Sequence, residues 1–214
     1  MASHDQPTSS IDQHLIGDWL DQLAAKAPTP GGGAVAALVG AVASALGSVV
    51  VAYTLGKKAF AEVEPELAQV ASRLDKTRLI LMTLADEDAR AYAALNAMMR
   101  LPEDDPVRVA GWAGAVRDAI DVPRAGVAAS ASLAAQLHGL VGKSNRWLGS
   151  DLAIAAELAA ASASAFAWNV RVNMPQLEDA AQRDQLETEA IRLVEQARAS
   201  AEAVAQAVAG QIGE

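Results

Sequence analysis

One carboxylate stands where an apolar residue belongs. A four-three alternation runs through Val63, Leu67, Val70, Leu74, Thr77, Leu81, Leu84, Asp88, Ala91, Leu95 and Met98, which is the seam of a long helix facing a core. Asp88 falls on that seam, whereas Asp86 and Glu87 fall off it and read as solvated charges. A carboxylate on a buried face loses solvation and must be paired, hydrogen-bonded or protonated. Desolvation also raises its pKa toward the range useful for general acid or base work. Asp88 is therefore the leading catalytic candidate, weighed against the plainer reading of a structural polar contact.

Other groups could serve a ligand. Asn169 and Asn173 lie at i and i+4, at the polar end of a second seam through Leu152, Ala155, Ala159, Ser162 and Phe166. Two amides on one face suit a heterocycle bearing donors and acceptors, although helix–helix hydrogen bonding would use them equally well. Lys57 and Lys58 could hold an anionic tail or simply complement a helix C-terminus. In Pro28-Thr29-Pro30-Gly31-Gly32-Gly33, proline fixes φ and glycine admits φ > 0, so a tight turn is expected whose bare backbone can approach a ligand closely. It is not a Walker loop, because no Lys-Ser or Lys-Thr follows at the required spacing. His4, His14 and His138 stand far apart, and no metal site is expected.

Long helices must position these groups. The 214 residues are 52% hydrophobic but only 4% aromatic, a composition suited to closely packed Ala, Leu and Val helices. Ser10 and Gln13 form a candidate capping box for a first helix ending near Lys26, before Pro28. A second helix, about 33 to 55, has no charged residue from Ala34 to Leu55 and repeats small residues at Gly40, Ser44, Gly47 and Ser48. Each glycine costs about 1 kcal/mol against alanine, so close helix contact is expected to offset it. Gly56 is its expected C-cap.

The third helix spans about 62 to 100. A fourth begins near Val107 and is kinked or split at Pro123, a fifth is N-capped by Ser150 and closed by Pro175, and a sixth runs from about Leu177 to Ile212. The fold expected is all-α: a single-domain bundle of long antiparallel helices around a buried, small-residue central helix, over residues 10–214, with a flexible tail over 1–9.

Charge and composition exclude other classes. A net charge of −9 and a pI near 4.8 leave no basic face for nucleic acid. Cysteine is absent, so disulfides, thiolate catalysis and cysteine-based zinc sites are excluded. The stretch from Ala34 to Leu55 is long enough to cross a bilayer. Its dilution by Gly, Ser and Ala, and the amphipathic helices around it, favour burial in a bundle and no membrane partner. The polar start of the chain does not resemble a signal peptide.

Taken together, these residues resemble the formiminotransferase-cyclodeaminase C-terminal domain family, which includes stand-alone methenyltetrahydrofolate cyclohydrolases. The resemblance rests on Pro28 through Ala37, Thr54-Leu55-Gly56-Lys57-Lys58, Asp86-Glu87-Asp88 with Ala91-Tyr92, Val122-Pro123, Asn145 with Ser150-Asp151-Leu152, and Asn169 through Asn173, in that order. It implies a dimeric helical bundle and a cytoplasmic enzyme that binds a tetrahydrofolate derivative as substrate and carries no prosthetic group. The chemistry implied is hydrolysis of 5,10-methenyltetrahydrofolate, or cyclodeamination of formimidoyltetrahydrofolate; a folate-binding dimer without catalysis is the third alternative. The family's catalytic aspartate maps onto Asp88. Lys57 is assigned to charge or water orientation, and Gly31, Gly32, Gly33, Lys58, Asn145, Asp151, Asn169 and Asn173 to substrate binding. Ala34 and Phe60 stand where the family commonly has hydroxyl side chains.

Overall fold

The computed structural model describes residues 15–212. Six α-helices account for most of them: α1 (Ile16–Ala24), α2 (Gly32–Ala52), α3 (Glu64–Met99), α4 (Pro106–His138), α5 (Gly149–Asn173) and α6 (Ala180–Ile212). Short 3-10 turns cover Lys58–Val63, Arg146–Leu148 and Met174–Gln176, and there is no strand among the described residues. The capping box at Ser10 and Gln13 and the tail over 1–9 lie outside them.

Helix α2 is held antiparallel to α3 by a matched seven-residue repeat. A Cβ built on Gly33 would meet Asp88, one on Gly40 would meet Leu81, and one on Gly47 would meet Leu74. The space left at Gly40 also admits Ser162 of α5, and the tightest contact at Gly47 is with Leu137 of α4, Leu74 standing at an ordinary 3.5 Å; the hydroxyl of buried Ser44 donates to the Leu74 carbonyl at 2.7 Å. These backbone-close contacts are what offsets the poor helix propensity of glycine. Asp88 occupies the layer where a third leucine would sit.

Helices α4 and α5 form a second antiparallel pair. Phe166, fully buried, lies where a Cβ on Gly126 would come within 2.5 Å of its ring. One layer on, Ser130 and Ser162 share a hydroxyl hydrogen bond of 2.8 Å, and Ser162 also donates to the Ala36 carbonyl of α2 at 2.7 Å. That small polar network locks α2, α4 and α5 together inside the core, where its members satisfy one another. Helix α6 packs along α4 and α5, with Arg124–Glu189 at 2.9 Å and Arg171–Glu187 at 2.8 Å tying it down.

Several boundaries differ from expectation for identifiable reasons. Pro123 neither splits nor ends α4, which runs unbroken past it with Pro123 buried. Asn145, rather than Ser150, caps the turn into α5, its side-chain oxygen accepting from the Trp147 amide. Helix α2 stops at Ala52, and Gly56, at φ +74°, closes the following turn instead of capping the helix. Asp179 starts α6 by accepting from the Ala181 and Gln182 amides.

The expected burial of α2 holds on one face. Gly33, Gly40, Ser44 and Gly47 are buried, whereas Val35, Val39, Val42, Leu46, Val49 and Tyr53 are partly or largely exposed. Both α2 and the segment 146–176 are long and apolar enough to cross a membrane, and 56% and 50% of those windows are buried inside the bundle.

Candidate functional site

A cleft of about 480 Å³ opens where the N-terminus of α2 meets α3, the C-terminal part of α5 and the middle of α4 at Ala119. The turn that precedes α2 forms one wall. Its Thr29–Pro30 peptide is cis, and Gly31 is the N-cap, with extended backbone at φ −132°. None of Gly31, Gly32 and Gly33 has a positive φ, so the expectation that these glycines serve backbone freedom is corrected. What Gly33 provides is missing volume. A Cβ there would fall closer to the Asp88 carboxylate than the 3.0 Å that real Cβ atoms keep.

Asp88 therefore lies flat against the first turn of α2. No hydrogen bond or ion pair to another described residue engages its carboxylate, and burial pushes its pKa above the ordinary 3.8. The unsatisfied N–H groups of the α2 N-terminus counter part of that penalty, since a helix start favours a nearby anion by about 0.3–1 kcal/mol. A carboxylate that is poorly solvated yet still able to ionise is suited to take up and return a proton.

The two asparagines face this carboxylate across the cleft. Asn173 uses its amide NH₂ on two backbone carbonyls, Ala119 at 2.8 Å and Asn169 at 3.0 Å, while the Asn169 NH₂ donates to the Ala165 carbonyl at 3.0 Å. These bonds fix both side chains, because only the nitrogen end can donate to a carbonyl. The Asn169 oxygen stands 3.5 Å from where a Gly32 Cβ would be. The cleft thus offers amide oxygens, which accept hydrogen bonds from ring N–H and exocyclic amine donors.

The structure brings Gly31, Gly32, Gly33, Asp88, Asn169 and Asn173 together, and places the other candidates elsewhere. Lys57 and Lys58 are exposed on the turn beyond the C-terminus of α2, about 30 Å from its start at 1.5 Å per residue. Asn145 belongs to that same far end. It is 8% exposed, and its backbone N–H donates to the Thr54 hydroxyl at 3.0 Å; Asp151 lies in the first turn of α5. Neither Ala34 nor Phe60 lines the cleft.

Three cleft residues escaped the seam argument. Tyr92 and Asn96 continue from Asp88 at steps of four along α3, and Gln176 follows Pro175 at the end of the α5 segment. The 88-92-96 spacing was available in the sequence as one face of a helix. It was masked because Tyr92 and Asn96 lie beside the heptad seam, on its flank. Among the described residues no cluster of His, Asp or Glu could hold a metal ion.

Comparison with known proteins bears on the family and the fold. The sequence pattern of the formiminotransferase-cyclodeaminase family matches residues 15–192. The chain is 36% identical over 170 residues to a methenyltetrahydrofolate cyclohydrolase of Methylorubrum extorquens, covering 78% of this chain and 82% of that one. It is 28% identical over 199 residues to the formimidoyltransferase-cyclodeaminase of Sus scrofa, 91% of this chain but only 37% of the pig protein. The crystal structure of a formiminotetrahydrofolate cyclodeaminase from Thermotoga maritima superposes with a TM-score of 0.87 at 28% identity, over 94% of this chain and 99% of that one. An antiparallel helical bundle with an aspartate seated in a glycine layer, matched over most of its length by both sequence and structure, belongs to the formiminotransferase-cyclodeaminase family.

Proposed function

We propose that the chain is an enzyme of folate one-carbon metabolism that hydrolyses 5,10-methenyltetrahydrofolate to 10-formyltetrahydrofolate. The observation that carries this reading is the desolvated Asp88 carboxylate held on the cleft floor with no protein partner among the described residues. The methenyl bridge is an amidinium cation, so an unpaired anion beside it favours binding and rises in value as water is excluded. The similarity to the Methylorubrum cyclohydrolase over most of both chains supports the choice of substrate.

Water attacks the carbon bridging N5 and N10, and Asp88 takes one of its protons as general base. The tetrahedral adduct then breaks its carbon–N5 bond as Asp88 returns that proton to N5. The remaining water proton leaves to solvent, which balances loss of the cationic charge. Asn169 and Asn173 orient the pterin through their amide oxygens, and the α2 turn provides a flat wall on which the ring packs. The enzyme works in the cytoplasm.

The likeness to the Thermotoga structure along 99% of that chain favours a second reading, cyclodeamination of formimidoyltetrahydrofolate. There N10 closes on the formimino carbon of the protonated formimino group, Asp88 takes the N10 proton and passes it to the amine nitrogen, and the carbon–nitrogen bond breaks to release ammonia. The two readings separate in one experiment: loss of methenyltetrahydrofolate absorbance is followed in parallel with ammonia release from formimidoyltetrahydrofolate. Hydrolysis without ammonia supports the first, ammonia release the second. Folate binding with neither activity would leave a binding module and refute catalysis.

A further inference from the structure

We propose that the glutamate end of the substrate leaves the cleft past Gln176 and enters a second cavity, between α4 and the start of α6, where the Arg117 guanidinium takes one of its carboxylates. The inference deepens the folate reading and rests on it for the identity of that ligand. A folate carries its glutamate on a benzoyl ring, so two carboxylates must be accommodated beyond the reacting carbon. The described residues lining the cleft include no cation; the one formal charge is that of Asp88. An anionic tail held inside the cleft would therefore find no opposite charge there.

The direction of the tail follows from where the helices end. Helix α2 starts at Gly32, level with Asn169 and Asp88, but α3 runs on to Met99 and α5 to Asn173. The slot left between them is closed at Asp88 and open toward Asn96, Met99 and Gln176. Asn96 stands about 12 Å beyond Asp88 along α3. The benzoyl ring and its amide carry the glutamate about 10 Å from the bridging carbon, roughly the span of three extended residues. With that carbon at Asp88, the glutamate emerges at the open end, beside Gln176.

A second cavity begins on the other side of that residue. It has a volume of about 560 Å³ and shares Gln176 with the cleft; on α4, Ala119 lines the cleft and its neighbour Ile120 lines the cavity. Trp112, Val116 and Ile120, at steps of four, supply an apolar wall. Two cations also line it. Arg124 is committed to Glu189 at 2.9 Å and to Asp121 at 3.7 Å, whereas Arg117 is exposed and takes part in no ion pair among the described residues. Glu178, the remaining charge, is exposed to solvent. An unpaired, planar guanidinium beside an apolar wall suits a carboxylate carried on an aromatic and methylene chain.

Selectivity between two substrates tests the site. 5,10-Methenyltetrahydropteroate keeps the reacting rings and the benzoyl group but lacks the glutamate. Arg117→Ala should raise KM for 5,10-methenyltetrahydrofolate about fivefold, the scale of one partly exposed ion pair, and narrow the KM gap between the two substrates by the same factor. Arg117→Lys should recover most of that gap, and raised salt should shrink it in the wild type. Ala113→Phe fills the second cavity from an exposed position on α4 and should narrow the gap without any change of charge. An unchanged gap in Arg117→Ala, or equal losses on both substrates, would overturn the proposal.

A binding measurement makes the test independent of turnover. 4-Aminobenzoyl-L-glutamate, the tail without its pterin, should shift the indole N–H resonance of Trp112 in the isotope-labelled protein, a signal assigned by its loss in Trp112→Phe. 4-Aminobenzoate should leave that signal in place, and Arg117→Ala should abolish the response to the glutamate compound. Silence in the wild type, an equal response to 4-aminobenzoate, or a response that survives in Arg117→Ala would each overturn the site. If the wild-type protein turned over no folate, this titration would still report on the cavity, so failure of the folate reading is distinguishable from failure of this one.

Discussion

Gly33→Ala is the smallest change that should disable the proposed site. Judged by helix propensity alone it is favourable by about 1 kcal/mol, because alanine is the better helix former. The added methyl, however, would stand inside the 3.0 Å limit from the Asp88 carboxylate, whereas ordinary contact begins near 3.4 Å. Backbone on one side and a packed α3 on the other leave Asp88 as the group that moves, by about 1 Å or more. Misplacing a catalytic group by that distance costs on the order of 100-fold. The prediction is a folded protein with kcat/KM for methenyltetrahydrofolate hydrolysis lowered about 100-fold. Gly32→Ala is the control, since its Cβ would sit at an ordinary 3.5 Å from Asn169 and should cost less than about tenfold. Both are read by the absorbance assay, with Tm measured alongside. Full activity in Gly33→Ala, or an equal loss in both variants, would refute the packing argument for how Asp88 is positioned.

Two further predictions concern the fold. Gly126→Ala places a methyl 2.5 Å from the Phe166 ring, an overpacking that should cost about 1–3 kcal/mol and lower Tm by roughly 5 °C in a thermal melt. Asp88→Asn should raise Tm at neutral pH, because ionising a carboxylate whose folded pKa is raised opposes folding. The sign follows from proton binding: between the unfolded pKa near 3.8 and the higher folded one, the native state holds more protons than the unfolded chain, so wild-type stability falls as pH rises through that window. The advantage of Asp88→Asn should therefore shrink on acidification, as melts from pH 4 to pH 8 would show.

The helical architecture was legible because periodicity survives in a sequence whenever one face is buried. The Leu67-to-Leu95 seam and the Leu152-to-Asn173 seam both became helices facing the core, and Asp88 was identifiable as the seam's one charge. Pro123 was less transparent, since nothing local distinguishes a proline accommodated inside a long helix from one that breaks it. Gly40 and Gly47 were legible as positions of close helix contact, which they make with Ser162 and Leu81 and with Leu137, whereas Gly33 was read as backbone freedom and instead serves by lacking a side chain opposite Asp88. That pairing depends on the register between two helices, which no single helix encodes. The open face of α2 was hidden for a related reason. An uncharged helix looks the same in sequence whether its second face meets its own bundle or another chain.

The most direct test of the account is the turnover of Asp88→Asn on 5,10-methenyltetrahydrofolate, measured with folate binding and sedimentation on the same preparation. Asparagine keeps the shape of the side chain and removes its capacity to accept a proton from water. The account predicts a folded dimer that binds folate, with kcat reduced about 100-fold or more, the scale of losing a general base. Turnover within a few-fold of wild type would contradict it and move the proton-transfer chemistry away from Asp88.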